Sequence, residues 1–499
     1  MAGRHVGGVV VGKETARQAR ARRRLSRQLA RKVKVEARAE ARAKRLAARQ
    51  EWQAGTVGKL GPEGEAGLRR LWPTRIPHIQ TTTRIARVAY PFLAEAGLGN
   101  QGPLIGTDLL SGSGFTYDPW LLYQRGILTN PNITVAGVIG TGKSALCKAL
   151  ATRSFAFGRN TYIPGDVKGE WSPVARAFGG AVIRLGRGLK ARLNPLDEGT
   201  RPALAADGSP LDNNDWARLV RSSRLALLKA LVERALGRAL RAEEDTALAL
   251  ALDEVVARHS TPLIGQVMEE LLEPSTTSLP LGVRDRAQLA QMGWQAGHGL
   301  GRMVSGDLAG LFDGPSTVAF DPKAPMVSVD LSAFEQDNAA LPMLMACTAA
   351  WMESSLRDPT ANKRYVVYDE AHRLMSDPAL LHRMKEQWKL ARAWGISNVL
   401  VLHRFSDLEA VGDEGSEARG LAKGLVTDTS TRIVFGQPAD QLDVVRSWLG
   451  LSSEVVDQLP SMVNRRGLAV WQINSRPFFV QDYLTRSEQE LFDTDGRMA

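Results

Sequence analysis

The 499-residue sequence predicts an α/β fold: a mostly parallel sheet with helices on both faces, an inserted all-α subdomain and a basic N-terminal helical arm. Three observations carry this. From about residue 131 short β-branched runs alternate with helical stretches, the pattern of crossovers that lay strands parallel. Between 198 and 310 the strand signals vanish and four successive segments show helical periodicity. The first 50 residues hold 12 Arg and 4 Lys against 3 Glu, a charge block that no folded core absorbs.

The elements follow in order. The arm, 1–55, carries a net +13 in its first 50 residues, which leaves about −2 for the other 449, so the overall +11 is a property of the tail. From Arg17 to Arg49 it is rich in Ala, Arg, Lys and Gln without Gly or Pro, which favours a helix; Leu25, Leu29 and Val33 draw only a thin apolar line along it. Such an arm suits an anionic membrane surface, an acidic partner or DNA, or stands solvated without a specific partner. Residues 56–130 are richer in Gly and Pro and predict short strands and turns leading into the core. The first part of that core, 131–197, has strands at Ile133 to Ala136, Thr161 to Pro164 and Ala181 to Leu185, with a helix from Ala145 to Phe155. The insertion, 198–310, reads as helices from Trp216 to Leu240, Glu243 to His259, Leu263 to Leu272 and Arg284 to Met303. The second part, 311–499, resumes with strands at Met326 to Leu331, Tyr365 to Tyr368, Ser397 to Leu402 and Arg432 to Phe435. Helices run from Leu341 to Leu356 and Pro378 to Trp394, and a hairpin around Asn474-Ser475 closes the sheet.

Composition narrows the class. A hydrophobic content of 44% and a charged content of 23% are ordinary for a globular protein. No run approaches the ~18 uncharged apolar residues of a membrane span; the best, Ala339 to Met352, is short and contains Thr348. No apolar segment of signal-peptide type follows the basic N-terminus, so a cytoplasmic location is expected. Cys147 and Cys347 fit reduced core positions and offer neither a disulfide framework nor zinc spacing.

Chemistry is concentrated in two motifs. Gly137-Val138-Ile139-Gly140-Thr141-Gly142-Lys143-Ser144 stands between a β-branched run and a helix. Its glycines let backbone N–H groups turn onto phosphates, Lys143 reaches the β and γ oxygens, and the Ser144 hydroxyl suits Mg²⁺. Gly137, Gly140, Thr141, Gly142, Lys143, Ser144 and Ala145 are thus the expected ATP-binding residues. A Gly-rich turn can be a plain tight connection, but not with strand, spacing, Lys and Ser all in place. The second motif, Tyr365-Val366-Val367-Tyr368-Asp369-Glu370, is an apolar strand ending in two carboxylates. Asp369 is expected to hold the Mg²⁺ water shell and Glu370 to polarise an attacking water, which predicts hydrolysis as well as binding. Asp166 and Lys168 follow the second core strand at the edge where ligand-contacting residues of open α/β sheets cluster, so Asp166 is a further nucleotide-binding candidate, with a satisfied surface pair as the alternative.

Asp369-Glu370-Ala371-His372 spells a helicase box, but 226 residues separate Lys143 from Asp369, and the expected Ser-Ala-Thr motif is missing downstream. The order of the phosphate loop, Asp166-x-Lys168-Gly169-Glu170, Gly179-Gly180, Asn194-Pro195-Leu196, the helical insertion, Leu311-Phe312-Asp313-Gly314 and Asp369-Glu370-Ala371 instead resembles the ATPases of type IV secretion and conjugation, the VirB-four type, which group with the FtsK and HerA motors. The resemblance covers about 60 to 490. It implies a RecA-like P-loop ATPase acting as a homo-oligomeric, commonly hexameric ring at the cytoplasmic mouth of a transfer channel, peripheral to the inner face of the membrane. Its partners would be channel components, and its cargo DNA or protein. Two positions depart from the family: a large domain usually precedes the motor, and His403 stands where a glutamine usually senses the γ-phosphate. A ring ATPase also needs an arginine in trans, for which Arg392 and Arg432 are the candidates. The rival readings are a DNA-translocating coupling protein or HerA/FtsK-like pump, and a slow nucleotide-controlled scaffold.

Overall fold

The computed structural model describes residues 97–493 except 206, 277–278, 359, 376, 392 and 403–415, and before 97 residues 24, 26, 28, 31–44, 46–47, 57–58 and 61–62. The chain divides into two units, 1–93 and 94–499. In the first, residues 31–44 are helical and exposed throughout, and Glu40 pairs with Lys44 one turn on at 2.9 Å. Strands β1 (Val57–Gly58) and β2 (Gly61–Pro62) form a minimal antiparallel pair. The apolar arm residues Val33, Val35 and Leu46 are all more than half exposed. Leu25 and Leu29 lie outside the described residues.

The second unit is built on one 11-stranded sheet among the described residues. Its strands are β3 (Leu104–Asp108), β4 (Gly114–Thr116), β5 (Ile133–Ala136), β6 (Asn160–Asp166), β7 (Ala181–Arg184), β8 (Met326–Asp330), β9 (Arg364–Tyr368), β10 (Ile396–Leu402), β11 (Thr431–Phe435), β12 (Leu468–Ile473) and β13 (Arg476–Asp482). Seven run parallel in the order β11-β5-β10-β9-β6-β8-β7, and β4-β3-β13-β12 extend the sheet antiparallel beside β11. Because β10 lies between β5 and β9, the phosphate loop and the paired carboxylates emerge two strands apart on one edge, with room for a ligand between them.

Alternation along the strands sets the two faces. Ile133, Val135, Tyr365, Val367, Val399 and Val401 pack to one side, and Val366, Tyr368, Leu400 and Leu402 to the other. The first face carries α1 (Pro119–Gln124), α2 (Lys143–Ser154), α3 (Trp171–Ala177) and the closing helix Arg486–Phe492. The second carries the insertion and α8 (Leu341–Ser355). The insertion comprises α4 (Asn213–Leu236), α5 (Ala242–Arg258), α6 (Ile264–Leu272) and α7 (Arg286–Val304). Local chemistry fixes their ends: Asp212 and Asp285 accept the N–H groups of Asp215 and Gln288 as caps, and Gly237, left-handed at φ 66°, ends α4.

After β9 come α9 (His372–Met375), α10 (Pro378–Ala391), α11 (Glu417–Thr427) and α12 (Leu442–Leu449); short α13 (Ser453–Val456) and α14 (Leu459–Met462) precede β12, and α15 is Arg486–Phe492. None of α11 to α15 is expected from the sequence. Gly420 and Gly424 dilute the helical signal of α11, although Ala422, Leu425 and Val426 bury one face. The Thr485 and Glu488 capping box is what starts α15. Both cysteines are free and buried, as expected. No helix of the described residues is long and apolar enough to cross a membrane.

Candidate nucleotide site

The phosphate loop is shaped by its glycines and held from the side. Gly140 and Gly142 adopt φ 84° and 106°, left-handed values that favour glycine. A Cβ on Gly137 would stand 2.5 Å from Phe435 Cβ on β11. The Gly467 N–H, at the start of β12, donates to the Thr141 carbonyl at 2.9 Å, so the C-terminal hairpin clasps the loop. Thr141 Oγ1 donates to the Val138 carbonyl at 2.7 Å, and Lys143 Nζ to the same oxygen at 2.8 Å. The Lys143 ammonium is therefore curled into its own loop, where arriving phosphates would compete with one carbonyl for it. Burial lowers Lys143 to about 8, against the pull of Asp369 and Glu370, with the Lys168 charge acting in the same sense as burial. Ser144 follows at the start of α2, where the helix N-terminus favours anions.

The carboxylates leave β9 in different environments. Asp369 Oδ2 accepts from the indole Nε1 of fully buried Trp171 at 3.0 Å, and its own Oδ1 accepts the Glu370 N–H at 3.2 Å. Glu370 is buried and adopts φ 57°. A non-glycine residue there costs on the order of 1–3 kcal/mol and persists only when its surroundings hold it. Lys168 Nζ lies 2.5 Å from Glu370 Oε1, and His372 Nδ1 lies 3.5 Å from Oε2. Burial pulls the Lys168 ammonium down, but the Glu370 hydrogen bond and the charges of Glu370, Glu170 and Asp369 hold it above its ordinary range.

Asp166 is engaged within the fold. Its Oδ2 accepts the N–H groups of Trp171 and Ser172 at 3.0 Å and the hydroxyls of Ser172 and Ser328 at 3.3 Å. Burial raises it to about 6, with Asp330 and Asp369 adding to the rise. It fixes the start of α3, and α3 aims Trp171 at Asp369. Trp171 is the residue the motifs do not reveal; its sequence signal is only its place directly after Glu170.

Arg432 is likewise engaged within the fold. It sits at the start of β11, at the opposite end of the sheet from the phosphate loop, because Thr431 pairs with Ile133 whereas Val434 pairs with Ala136. Its guanidinium donates to the Leu449 carbonyl at 2.7 Å and the Thr427 carbonyl at 2.8 Å, the ends of α12 and α11. In this chain its guanidinium thus caps the ends of two helices. Arg392 and His403 lie outside the described residues.

Beside Gly142 and Ala145 opens a cavity of about 570 Å³, walled by Arg466, Gln481, Asp482 and Phe492 from the closing hairpin and α15. A larger cavity, about 940 Å³, lies between α4, α10 and α11, away from the loop. Lys229, Arg234, Arg238 and Arg383 beside it are paired with Asp245, Asp377, Glu244 and Glu353, so it is the lesser candidate. Among the described residues no group of three His, Cys, Asp or Glu side chains could cage a metal. One hydroxyl, Ser144, and one oriented carboxylate, Asp369, instead fit Mg²⁺, which keeps several waters and takes its other ligands from phosphates.

No family model and no curated protein matches the chain. Among solved structures it is similar to VirB4 of Thermoanaerobacter pseudethanolicus, with 18% identity over 79% of this chain and 100% of that one and a TM-score of 0.63. It also aligns with the plasmid coupling protein TrwB in complex with a non-hydrolysable ATP analogue, with 15% identity, 78% and 91% coverage and a TM-score of 0.48. The unbound monoclinic form of TrwB aligns at 15% identity, 78% and 90% coverage and 0.47. The chain thus has the RecA-like P-loop fold of that VirB4 structure.

Proposed function

We propose that this chain is an ATP-hydrolysing motor of a conjugative or type IV secretion apparatus, coupling turnover to transfer of DNA or protein. One observation carries the hydrolytic half of this reading: Lys143, Ser144, Asp369 and Glu370 converge on one sheet edge with the carboxylates two strands from the loop. Mg²⁺ bound with ATP would supply positive charge to the β and γ oxygens. Lys143 leaves the Val138 carbonyl to bind phosphate, Trp171 holds Asp369 through its indole N–H, Ser144 and Asp369 would hold the Mg²⁺, and Glu370 takes the proton of the attacking water. The apparatus half is supported by the order of motifs and by the fold in common with VirB4.

In this reading 131–197 and 311–499 form the motor core, 198–310 its helical subdomain, and 1–55 an arm that engages the channel complex or an anionic membrane surface at the cytoplasmic face. The subunits form a ring, with Arg392 or Arg432 acting in trans. Steady-state phosphate release by the full chain, with and without DNA, tests the function. A transfer motor turns over many times per subunit. Strong stimulation by DNA would favour the DNA-pump alternative, and release of no more than one phosphate per subunit would favour the scaffold.

A further inference from the structure

The segment Asp166-Val167-Lys168-Gly169-Glu170 is anchored at both ends and reaches out in the middle. Asp166 is tied back to α3 and to Ser328 of β8. Glu170 pairs at 3.3 Å with Lys148, a buried lysine on the helix that follows the phosphate loop. Between them Gly169, at φ 71°, turns the chain, and Lys168 extends to Glu370 with its side chain 41% exposed. A buried, catalytically placed carboxylate is thus neutralised by an ammonium that has one foot in solvent.

We propose that Lys168 is the residue by which this site distinguishes a nucleoside triphosphate from a diphosphate. In the nucleotide-free site it holds Glu370; when a γ-phosphate arrives, its ammonium transfers to the phosphate oxygens and frees Glu370 to polarise water. This rests on the nucleotide reading above. Three features support it. A lysine ammonium is a compact charge with three rotatable donors on a flexible stem, so it can be handed from one acceptor to another without rebuilding the backbone. The γ-phosphoryl group brings more negative charge than one carboxylate, and the anchored ends keep Lys168 within reach. Lys168 also follows β6, the neighbour of β9 in the sheet, so it stands at the same edge as Asp369 and Glu370. A diphosphate offers no γ oxygens, so Lys168 stays on Glu370 and the general base stays engaged.

The test is equilibrium binding of ADP and of a non-hydrolysable ATP analogue, with steady-state turnover, on the full chain and on Lys168→Met, Lys168→Arg and Glu370→Gln. Lys168→Met should weaken the analogue roughly 10- to 100-fold, the loss of one charge-assisted hydrogen bond, leave ADP binding unchanged and lower turnover. Unchanged ADP binding also reports an intact fold. Lys168→Arg should keep part of the preference for the analogue, and Glu370→Gln should bind the analogue at least as tightly as wild type. The proposal is overturned if Lys168→Met weakens both nucleotides equally or neither, which marks a mere tether for Glu370, or if it raises turnover, which marks a brake. A wild-type chain that binds neither nucleotide overturns the nucleotide reading and this inference with it.

Discussion

At the scale of single residues, the site is a relay from a buried carboxylate to a part-buried one. Asp166 fixes α3, α3 fixes Trp171, and Trp171 fixes Asp369. Trp171→Phe removes one N–H donor worth about 1 kcal/mol and leaves a small cavity at a fully buried position, so it should lower the melting temperature and, where the variant is still folded, raise the Mg²⁺ concentration at half-maximal ATPase several-fold. An unchanged Mg²⁺ dependence would remove Trp171 from the site. The contiguous chemistry, Gly137 to Ser144 and Asp369-Glu370, was legible in the sequence because its spacing is local. The partners of Asp166 and Arg432 within the fold were not legible, because the Ser328 hydroxyl is distant in the chain and the Thr427 and Leu449 carbonyls meet the guanidinium only once two helix ends are packed beside β11. Arg432→Gln should lower stability by roughly 1 kcal/mol, since it strips donors from one part-buried carbonyl, that of Leu449, and one exposed carbonyl, that of Thr427. Turnover that matches wild type at a temperature where the variant is folded would leave Arg392 as the arginine acting in trans.

At the scale of elements, the hairpin β12–β13 is the clasp on the loop. The strand-like runs Gly467 to Ile473 and Pro477 to Val480, separated by Asn474-Ser475, made the hairpin readable, yet nothing local says that Gly467 reaches the Thr141 carbonyl. Asp482 lies against Gly467, and burial raises it from 3.8 to about 6, although Arg153 and Arg466 pull the other way. Between those two values the folded state binds more protons than the unfolded one, so stability from this group falls as pH rises and is lowest above about 6. Asp482→Asn, which never carries the charge, should therefore be more stable than wild type at pH 7.5, by roughly 1–3 kcal/mol. The gain should shrink as pH falls through 6 and be absent below about 4 in urea unfolding. A gain that persists at pH 3.5 would contradict a buried-charge origin.

At the scale of the whole molecule, strand order is what converts two sequence motifs into one site. The sequence told that the strands are parallel and that a helical block interrupts them, but not that β10 would insert between β5 and β9, because pairing between distant strands leaves no local trace. The arm belongs to this scale as well: with +13 in residues 1–50 against about −2 elsewhere, its deletion should leave basal ATPase nearly unchanged. Association with anionic vesicles or DNA should drop sharply, and any remaining binding should have a shallow salt dependence. Full-length affinity and salt slope in the truncated chain would refute an electrostatic anchor. The central claim, that this sheet edge binds and hydrolyses ATP with divided roles, is tested most directly by measuring ATP affinity and phosphate release together for Lys143→Ala and Glu370→Gln. The account predicts that Lys143→Ala loses binding, whereas Glu370→Gln binds ATP like wild type and releases no phosphate; a Glu370→Gln chain that hydrolyses normally, or that binds as poorly as Lys143→Ala, would contradict it.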